Sequence, residues 1–200
     1  MGGRLFVISG PSGAGKGSIV EKLLRQGERI YFSVSATTRQ KRPYETDGKE
    51  YYFVSRQDFL DRIERKRMLE WAEYEGQMYG TPADPVDEKL RAGFDVLLDI
   101  ETKGMRQVKT LRPDAVIMFV YPPSFAELER RLRSRKTETE EKILGRLAKG
   151  RRECELAEEY DYIIINDDLD KAAAEAAAIM TAEKCRTAER IHILKEDETL

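Results

Sequence analysis

A glycine-rich stretch near the start of the chain has the residue types and spacing that bind phosphate. It runs from Gly10 to Ser18 with the sequence Gly-Pro-Ser-Gly-Ala-Gly-Lys-Gly-Ser. Backbone N–H groups of such a loop can converge on an anion, because glycine has no Cβ to block the approach. Lys16 adds a mobile positive charge for the outer phosphates. The stretch predicts a phosphate-binding loop, and a plain glycine turn is the alternative.

The residue after the lysine departs from the strict pattern of such loops. That pattern places Ser or Thr directly after the lysine, whereas here Gly17 stands in this position and Ser18 follows. A direct contact between the Ser18 hydroxyl and Mg²⁺ is therefore one option, and contact with a phosphate or an ordered water is the other.

Arginines form the second group of candidate anion ligands. Arg39 and Arg42 lie three residues apart beside Pro43, and guanidinium groups bind phosphate oxygens in a bidentate manner. The segment 126–152 holds ten Lys or Arg against five Asp or Glu, which indicates an anionic partner. The alternatives are an exposed polar loop for the first pair and ordinary charges on a helix surface for the segment.

Glu70 is an isolated acid in an apolar run, Met68-Leu-Glu-Trp-Ala72. Strand alternation predicts that Leu69 and Trp71 face one way and Glu70 the other. A carboxylate buried there requires partners, and the two N–H groups of a base would satisfy it. A solvated strand face is the alternative.

Two further acids stand where a predicted strand ends. Asp99 lies in the apolar stretch 94–100, and Glu101 follows it. In proteins with a phosphate-binding loop, an acid at the end of a neighbouring strand commonly serves Mg²⁺ or its waters, so Asp99 is predicted to act through water. For Glu101, a cap of the following helix is a fair alternative.

Apolar runs and helical patterns alternate along the chain and indicate a doubly wound parallel α/β sheet. The predicted strands are 5–8, 30–35, 94–100, 115–121 and 162–165. The predicted helices start at 19, 84, 102, 124, 137 and 168, the fifth capped by Thr137 with Glu140, and residues 191–200 are expected to be frayed. Residues 36–81 read as a small α+β insert with strands near 51–54 and 69–74, a helix over 56–66 and a hairpin near 76–80.

Composition limits the possible functions. The 200 residues are 40% hydrophobic and 36% charged, with a net charge of −2, which argues against a general binder of nucleic acid or membrane surfaces. An apolar run of about 18 residues is missing, so no membrane span is expected. Cys154 and Cys185 suggest free thiols in a reducing cytosol. The single histidine, His192, lies in a polar tail, so a histidine base or metal site is not expected.

Six spaced motifs together resemble the guanylate kinase family. They are Gly10-Pro-Ser-Gly-Ala-Gly-Lys16, Ser33-Val-Ser-Ala-Thr-Thr-Arg39-x-x-Arg42-Pro, Gly48-x-x-Tyr51-x-Phe-Val, Leu69-Glu-Trp-Ala, Tyr79-Gly-Thr81 and Asn166-Asp-Asp-Leu169. The resemblance runs from about residue 4 to 187 without large gaps. The chain departs from the family at Glu101 and Lys103, where Asp and Gln are more usual, and at Lys136, which replaces a common glycine.

The resemblance implies ATP-dependent phosphorylation of GMP to GDP with Mg²⁺, as in GMP recycling in purine nucleotide metabolism. It implies a sheet of the P-loop NTPase type formed by 1–35, 82–125 and 151–190, a GMP-binding insert at 36–81 and a helical lid at 126–150. The expected partners are GMP and ATP, with no nucleic acid and no membrane. We expect a cytoplasmic protein, either a monomer or a homo-oligomer.

The resemblance also implies roles for individual residues. ATP would be bound by Gly10, Pro11, Ser12, Gly13, Ala14, Gly15, Lys16, Gly17, Ser18 and, near its base, Asn166. Guanine would be read by Ser35, Glu70 and Thr81, and the GMP phosphate held by Arg39, Arg42, Tyr51 and Tyr79. Asp99 and Glu101 would adjoin GMP, with Asp99 also facing Mg²⁺ through water. The transferring group would meet Lys16, Arg39, Arg131, Arg135 and Arg146.

Two rival functions remain at this stage. A kinase-like binding module that docks peptides would have a damaged phosphate loop and no lid arginines, whereas Lys16, Arg135 and Arg146 are present here. A kinase acting on a sugar phosphate would have no use for Glu70 and Thr81 as readers of a base. Both rivals are therefore disfavoured.

Overall fold

The computed structural model describes residues 2–27, 29–134 and 139–196, and every structural statement below concerns that part of the chain. Its strands are β1 (Leu5–Ser9), β2 (Ile30–Phe32), β3 (Ala36–Thr37), β4 (Tyr52–Phe53), β5 (Met68–Tyr74), β6 (Gln77–Pro82), β7 (Asp95–Asp99), β8 (Val116–Tyr121) and β9 (Tyr162–Ile165). Its helices are α1 (Lys16–Gln26), α2 (Arg56–Glu64), α3 (Ala83–Arg91), α4 (Thr102–Leu111), α5 (Phe125–Ser134), α6 (Glu140–Cys154), α7 (Leu169–Lys184) and α8 (Thr187–Glu196).

The larger sheet is parallel and has the strand order β2-β7-β1-β8-β9. Its central strand β1 is buried along its whole length, because helices cover both faces of the sheet. Val7 belongs to the apolar cluster on one face and Phe6 to the cluster on the other. This arrangement confirms the predicted doubly wound α/β fold.

The smaller sheet has the order β4-β3-β6-β5 and falls in the predicted insert 36–81, except that β6 ends one residue later, at Pro82. Strands β5 and β6 form an antiparallel hairpin, whose turn has positive φ at Glu75 and Gly76, as tight hairpins require. Helix α2 starts at a cap in which Ser55 Oγ accepts from the Asp58 N–H at 3.0 Å, and its Phe59 is fully buried against the sheet.

Several element boundaries differ from the sequence predictions; α1, for example, begins at Lys16 rather than at residue 19. Strand β2 ends at Phe32 rather than at residue 35, because the chain leaves β7 there and Ala36 already pairs with Gly80 in the other sheet. Helix α6 follows an N-cap at Thr139, and the predicted cap Thr137 lies outside the described residues. The tail expected to fray is helical up to residue 196.

Within the described residues, none of the helices combines the length and the apolar character that crossing a bilayer requires.

Candidate active site

The glycine loop joins β1 to α1, as the sequence predicted. Gly10 and Gly15 have φ of +133° and +91°, which L side chains rarely adopt. A Cβ on Gly10 would lie 2.2 Å from the Val120 carbonyl oxygen, and one on Gly15 would lie 2.3 Å from Asn166 Nδ2. The N-terminus of α1 has no side-chain cap, so the N–H groups of its first turn remain available to an anion.

Lys16 is folded back over this loop. Its Nζ donates to the carbonyl oxygens of Gly10 and Pro11 at 2.8 and 3.3 Å. An incoming phosphate can replace these neutral acceptors with charged ones, which form stronger hydrogen bonds. Gly17 and Ser18 are exposed on the first turn of α1, and among the described residues a Cβ at Gly17 would meet no atom within 4 Å.

Asp99 lies beside the loop, as predicted, because β7 pairs with β1 and Asp99 is the partner of Ile8. Burial raises the pKa of Asp99, and the charge of Lys16 opposes this shift. Glu101 occupies the N-cap position of α4 without a side-chain cap hydrogen bond. Its carboxylate accepts instead from Lys149 Nζ at 2.6 Å.

Glu70 and Thr81 meet across the β5–β6 hairpin. They are paired residues of the two strands, Thr81 Oγ1 donates to Glu70 Oε1 at 2.7 Å, and their exposed fractions are 8% and 1%. Burial raises the pKa of Glu70, and the hydrogen bond from Thr81 partly opposes this. The pair is therefore a desolvated carboxylate with one internal partner.

The alternation predicted for β5 is wrong at Leu69. The register of the hairpin shifts between Met68 and Glu70, so three successive residues are buried. Met68 joins the core of the smaller sheet, and Leu69 joins the main core. Trp71 is 37% exposed and does not share the environment of Leu69.

The hydroxyl-bearing residues before β3 lie where the chain passes between the two sheets. The carbonyl oxygen of Ser35 accepts from the Tyr52 N–H at 2.9 Å. Ser33 Oγ is a buried polar atom without a hydrogen-bond partner in the described part of the chain. Such an atom favours a nearby water or polar ligand, and the sequence analysis did not single it out.

Glu45 is a functional candidate that sequence reasoning missed. Its carboxylate accepts from both terminal nitrogens of Arg39, at 3.0 and 2.7 Å, and from the Arg42 N–H at 2.8 Å. Arg39 therefore holds the pKa of Glu45 at about 2. The exposed Arg42 side chain donates to Tyr44 Oη at 3.0 Å. The three-residue spacing of Arg39, Arg42 and Glu45 was the available signal.

Aromatic rings surround the Arg39 guanidinium. Its central carbon lies 5.5 Å from the ring centroid of Tyr51 and 5.6 Å from that of Phe53. The Tyr51 and Tyr79 rings meet edge to face with centroids 6.1 Å apart. The structure thus brings the predicted phosphate ligands Arg39, Tyr51 and Tyr79 together.

Asn166 and Arg131 support the glycine loop from the other side. The buried Asn166 side chain donates from Nδ2 to the Ala14 carbonyl oxygen at 2.8 Å, and the main-chain carbonyl oxygen of Asn166 accepts from Arg131 Nη2 at 2.8 Å. Arg131 Nε also donates to Glu127 Oε1 at 2.7 Å. Hydrogen bonds from the neighbouring arginines lower the pKa of Glu127 to about 2.

Arg146 also reaches the loop, since its Nη1 donates to Ser12 Oγ at 2.8 Å. Arg135, the third predicted arginine, lies outside the described residues. The structure therefore brings Arg131 and Arg146 to the glycine loop, with Asp99 at its side.

Comparisons with known proteins identify one family. The sequence model described as "Guanylate kinase" matches residues 2–183. A guanylate kinase of Desulfitobacterium hafniense (strain Y51) is 48% identical over 193 residues, 96% of each chain. One of Synechococcus sp. (strain CC9902) is 53% identical over 170 residues, 85% of this chain and 91% of its own. The crystal structure of guanylate kinase from Anaplasma phagocytophilum superimposes with a TM-score of 0.73 at 33% identity, covering 94% of this chain and 89% of its own.

Proposed function

The chain belongs to the guanylate kinase family, and from this premise we propose which residues carry out its reaction, ATP + GMP = ADP + GDP. The enzyme is a transferase, a nucleoside monophosphate kinase. Its two substrates require two anion sites and a reader of guanine. The observation that carries the assignment is the buried Glu70–Thr81 pair, since an unspecific phosphate kinase has no need for a desolvated carboxylate.

ATP binds at the loop Gly10–Ser18, with its outer phosphates on the N–H groups of the loop and on Lys16. The uncapped N-terminus of α1 supports this assignment. Asn166 contributes by holding the loop, through its bond to the Ala14 carbonyl, and it adjoins the ATP base. Arg131 and Arg146 act on the transferring phosphoryl group, together with Arg135.

GMP binds along the smaller sheet. Its phosphate meets Arg39, Arg42, Tyr51 and Tyr79, which is supported by the cluster of Arg39 with the two tyrosine rings. Glu45 occupies two terminal nitrogens of Arg39 and so fixes the direction of the remaining N–H groups.

Guanine is read by Glu70 and Thr81, with Ser35 at the start of the smaller sheet, and Asp99 and Glu101 adjoin GMP. Guanine offers two adjacent donors, a ring N–H and an exocyclic amine, and a single carboxylate can accept both. Adenine has an unprotonated ring nitrogen at the matching place. This nitrogen carries no hydrogen, so it cannot donate a hydrogen bond to the Glu70 carboxylate. The site therefore favours GMP over AMP.

The chemistry consists of positioning and charge neutralisation. The attacking phosphate oxygen of GMP is already ionised near neutral pH, so this chain needs no general base. Lys16 and the arginines stabilise the charge of the transferring group, and a well-placed arginine contributes roughly 10³-fold or more in related reactions.

Mg²⁺ fits the oxygen donors at the loop. Asp99 and Ser18 would hold it, the first through water, since Mg²⁺ prefers hard oxygen ligands and keeps several waters. When bound, the ion neutralises charge on the ATP phosphates. Two observations support this pair. The Ser18 hydroxyl is exposed on the first turn of α1, and the Asp99 carboxyl lies close enough to Lys16 to be affected by its charge.

The division of the chain is proposed along the same lines. Residues 36–81 form the GMP-binding insert, 126–150 the lid, and the remaining segments the core. Closure of the lid would exclude water and so prevent hydrolysis of ATP. We place the enzyme in the cytoplasm, as a monomer or homo-oligomer that does not bind nucleic acid.

A coupled ATP assay with GMP, AMP, CMP and ribose 5-phosphate tests this assignment. The expected result is turnover with GMP at least roughly 10³-fold above AMP in kcat/KM, abolished by EDTA and restored by Mg²⁺. Equal use of AMP would refute the guanine reader, and equal use of ribose 5-phosphate would refute any reading of the base. Undiminished activity in EDTA would refute the metal assignment.

A further inference from the structure

Helix α4 approaches the proposed guanine reader at a glycine. A Cβ built on Gly104 would lie 2.6 Å from Glu70 Oε2, 3.1 Å from Cδ and 3.2 Å from Cγ. Gly104 is buried in the first turn of α4. The Glu70 side chain thus fills the space that any other residue at position 104 would occupy.

A second contact fixes the same helix to the same strand. β5 is an edge strand of the smaller sheet, so part of its backbone lacks a strand partner. The side-chain amide of Gln107 supplies one at Trp71, next to Glu70. The Trp71 N–H donates to Gln107 Oε1 at 3.1 Å, and Gln107 Nε2 donates to the Trp71 carbonyl at 2.9 Å.

Gly104 lowers the stability of helix α4, so its presence in the helix requires an explanation. Glycine inside a helix is less stable than alanine by roughly 0.5–1 kcal/mol. Nothing in the backbone conformation of Gly104 requires glycine, because its φ is not positive. The reason lies in the contact with Glu70, because the three nearest atoms that a Cβ would meet all belong to that side chain.

We propose that Gly104 is a positioning residue for guanine specificity, which acts by leaving room for the Glu70 carboxylate while Gln107 holds the neighbouring backbone. This inference rests on the proposed role of Glu70. A methyl group at position 104 would displace a flexible carboxylate, not the backbone. The fold would tolerate the change, and recognition of the base would not.

The size of the effect follows from the geometry. Restoring an ordinary contact from 2.6 Å requires the carboxylate to move by about 0.8 Å, and a misplacement near 1 Å can cost about 10²-fold in rate. We therefore expect Gly104→Ala to lower kcat/KM for GMP by about 10- to 100-fold, mainly through KM. The ratio of GMP to AMP use should narrow, with KM for ATP within about 2-fold of wild type.

The test compares Gly104→Ala, Glu70→Ala and the double variant by steady-state kinetics. In the Glu70→Ala background the added methyl group has no carboxylate to displace, so it should cost less than about 2-fold. Gly145→Ala serves as a control for thermal stability alone, because a Cβ at this position of helix α6 meets no atom of the described residues within 4 Å. Both Gly→Ala variants should melt at or above the wild-type temperature.

The possible failures are distinguishable. Wild-type use of GMP by Glu70→Ala would refute the guanine reader itself. If Glu70→Ala loses kcat/KM for GMP and Gly104→Ala does not, only the positioning role of Gly104 is overturned. The same conclusion follows if Gly104→Ala lowers kcat/KM for GMP equally in the wild-type and the Glu70→Ala backgrounds. If Gly104→Ala does not fold, Gln107→Leu tests the second contact. It should raise KM for GMP and leave KM for ATP unchanged, and an unchanged KM for GMP would overturn the proposal.

Discussion

Exchange of Glu70 for Gln alters one atom at the centre of the proposed specificity site. The variant keeps the shape of the side chain, and its amide oxygen can still accept from Thr81 Oγ1, as Glu70 Oε1 does at 2.7 Å. The other oxygen is replaced by an amide NH2 group. This group is a donor, so it cannot accept the hydrogen bond from guanine. With Glu70 only 8% exposed, water has little room to compensate.

The magnitude follows from the hydrogen bonds at stake. Hydrogen bonds to a charged partner contribute about 1.5–3 kcal/mol each. Glu70→Gln removes the negative charge from both hydrogen bonds to guanine, and it removes the acceptor atom of one of them. A loss of about 10²-fold in kcat/KM for GMP, equivalent to ~2.7 kcal/mol, is expected. Use of AMP should fall far less, so the preference for GMP narrows.

The pH dependence gives an independent signature. Burial raises the pKa of Glu70, so this carboxyl takes up a proton at a higher pH than an exposed glutamate. The protonated form accepts fewer bonds, and KM for GMP should rise as the pH falls through that raised pKa. The free energy of unfolding changes with pH in the opposite direction. The stability that the neutral Glu70 carboxyl contributes is lost as the pH rises through its raised pKa. Glu70→Gln should therefore be at least as stable as wild type near pH 8, with a flatter KM profile.

The coupled ATP assay with GMP and AMP measures both effects. Glu73→Gln is the matched control, because Glu73 lies on the same strand and is exposed in an ion pair with Arg56. Its kinetics should stay within about 2-fold of wild type. If Glu70→Gln discriminates GMP from AMP as sharply as wild type, guanine is read elsewhere and the reasoning fails.

Three further variants probe the anion sites. Lys16→Ala should lose roughly 10²-fold or more in kcat with the fold intact, and retention of more than about a tenth of the activity would contradict the loop assignment. Arg135→Ala should lower kcat far more than it raises KM for GMP, whereas a pure KM effect would place Arg135 in ground-state binding. Glu45→Gln should raise KM for GMP by about 10-fold by releasing Arg39. Because its pKa is near 2, Glu45 stays charged from pH 5 to 8, and the rise in KM for GMP should be the same across this range. A rise confined to acid pH would contradict the proposed role of Glu45.

Elements with strong local signals were predictable from the sequence. Helix α4 spans 102–111 as predicted, because an apolar face ends at Arg112-Pro113 and proline disfavours a helical conformation before it. Strands β8 and β9 follow from near-continuous apolar runs. The glycine loop between β1 and α1 was predictable for the same reason, since its strand, glycines, lysine and helix lie within one short segment; its role in binding phosphate stays a prediction.

Features that depend on distant partners were not predictable. The end of β2 is determined by where β7 ceases to pair with it, and the register shift at Leu69 by two different cores that bury neighbouring residues. For Glu45 the three-residue spacing from Arg42 and Arg39 was a local signal, but the spacing alone does not decide whether the polar loop folds so that Arg39 binds this carboxylate. The approach of Gly104 to Glu70 joins residues 34 positions apart, and no local pattern reports such a contact.

The most direct test of the account varies the base instead of the protein. Inosine monophosphate retains the ring N–H of guanine but lacks the exocyclic amine, and AMP lacks both donors. If Glu70 accepts both, wild-type kcat/KM should fall in two steps from GMP to inosine monophosphate to AMP, each about 30-fold or more. Equal use of GMP and inosine monophosphate would contradict the claim that this carboxylate reads guanine through two bonds.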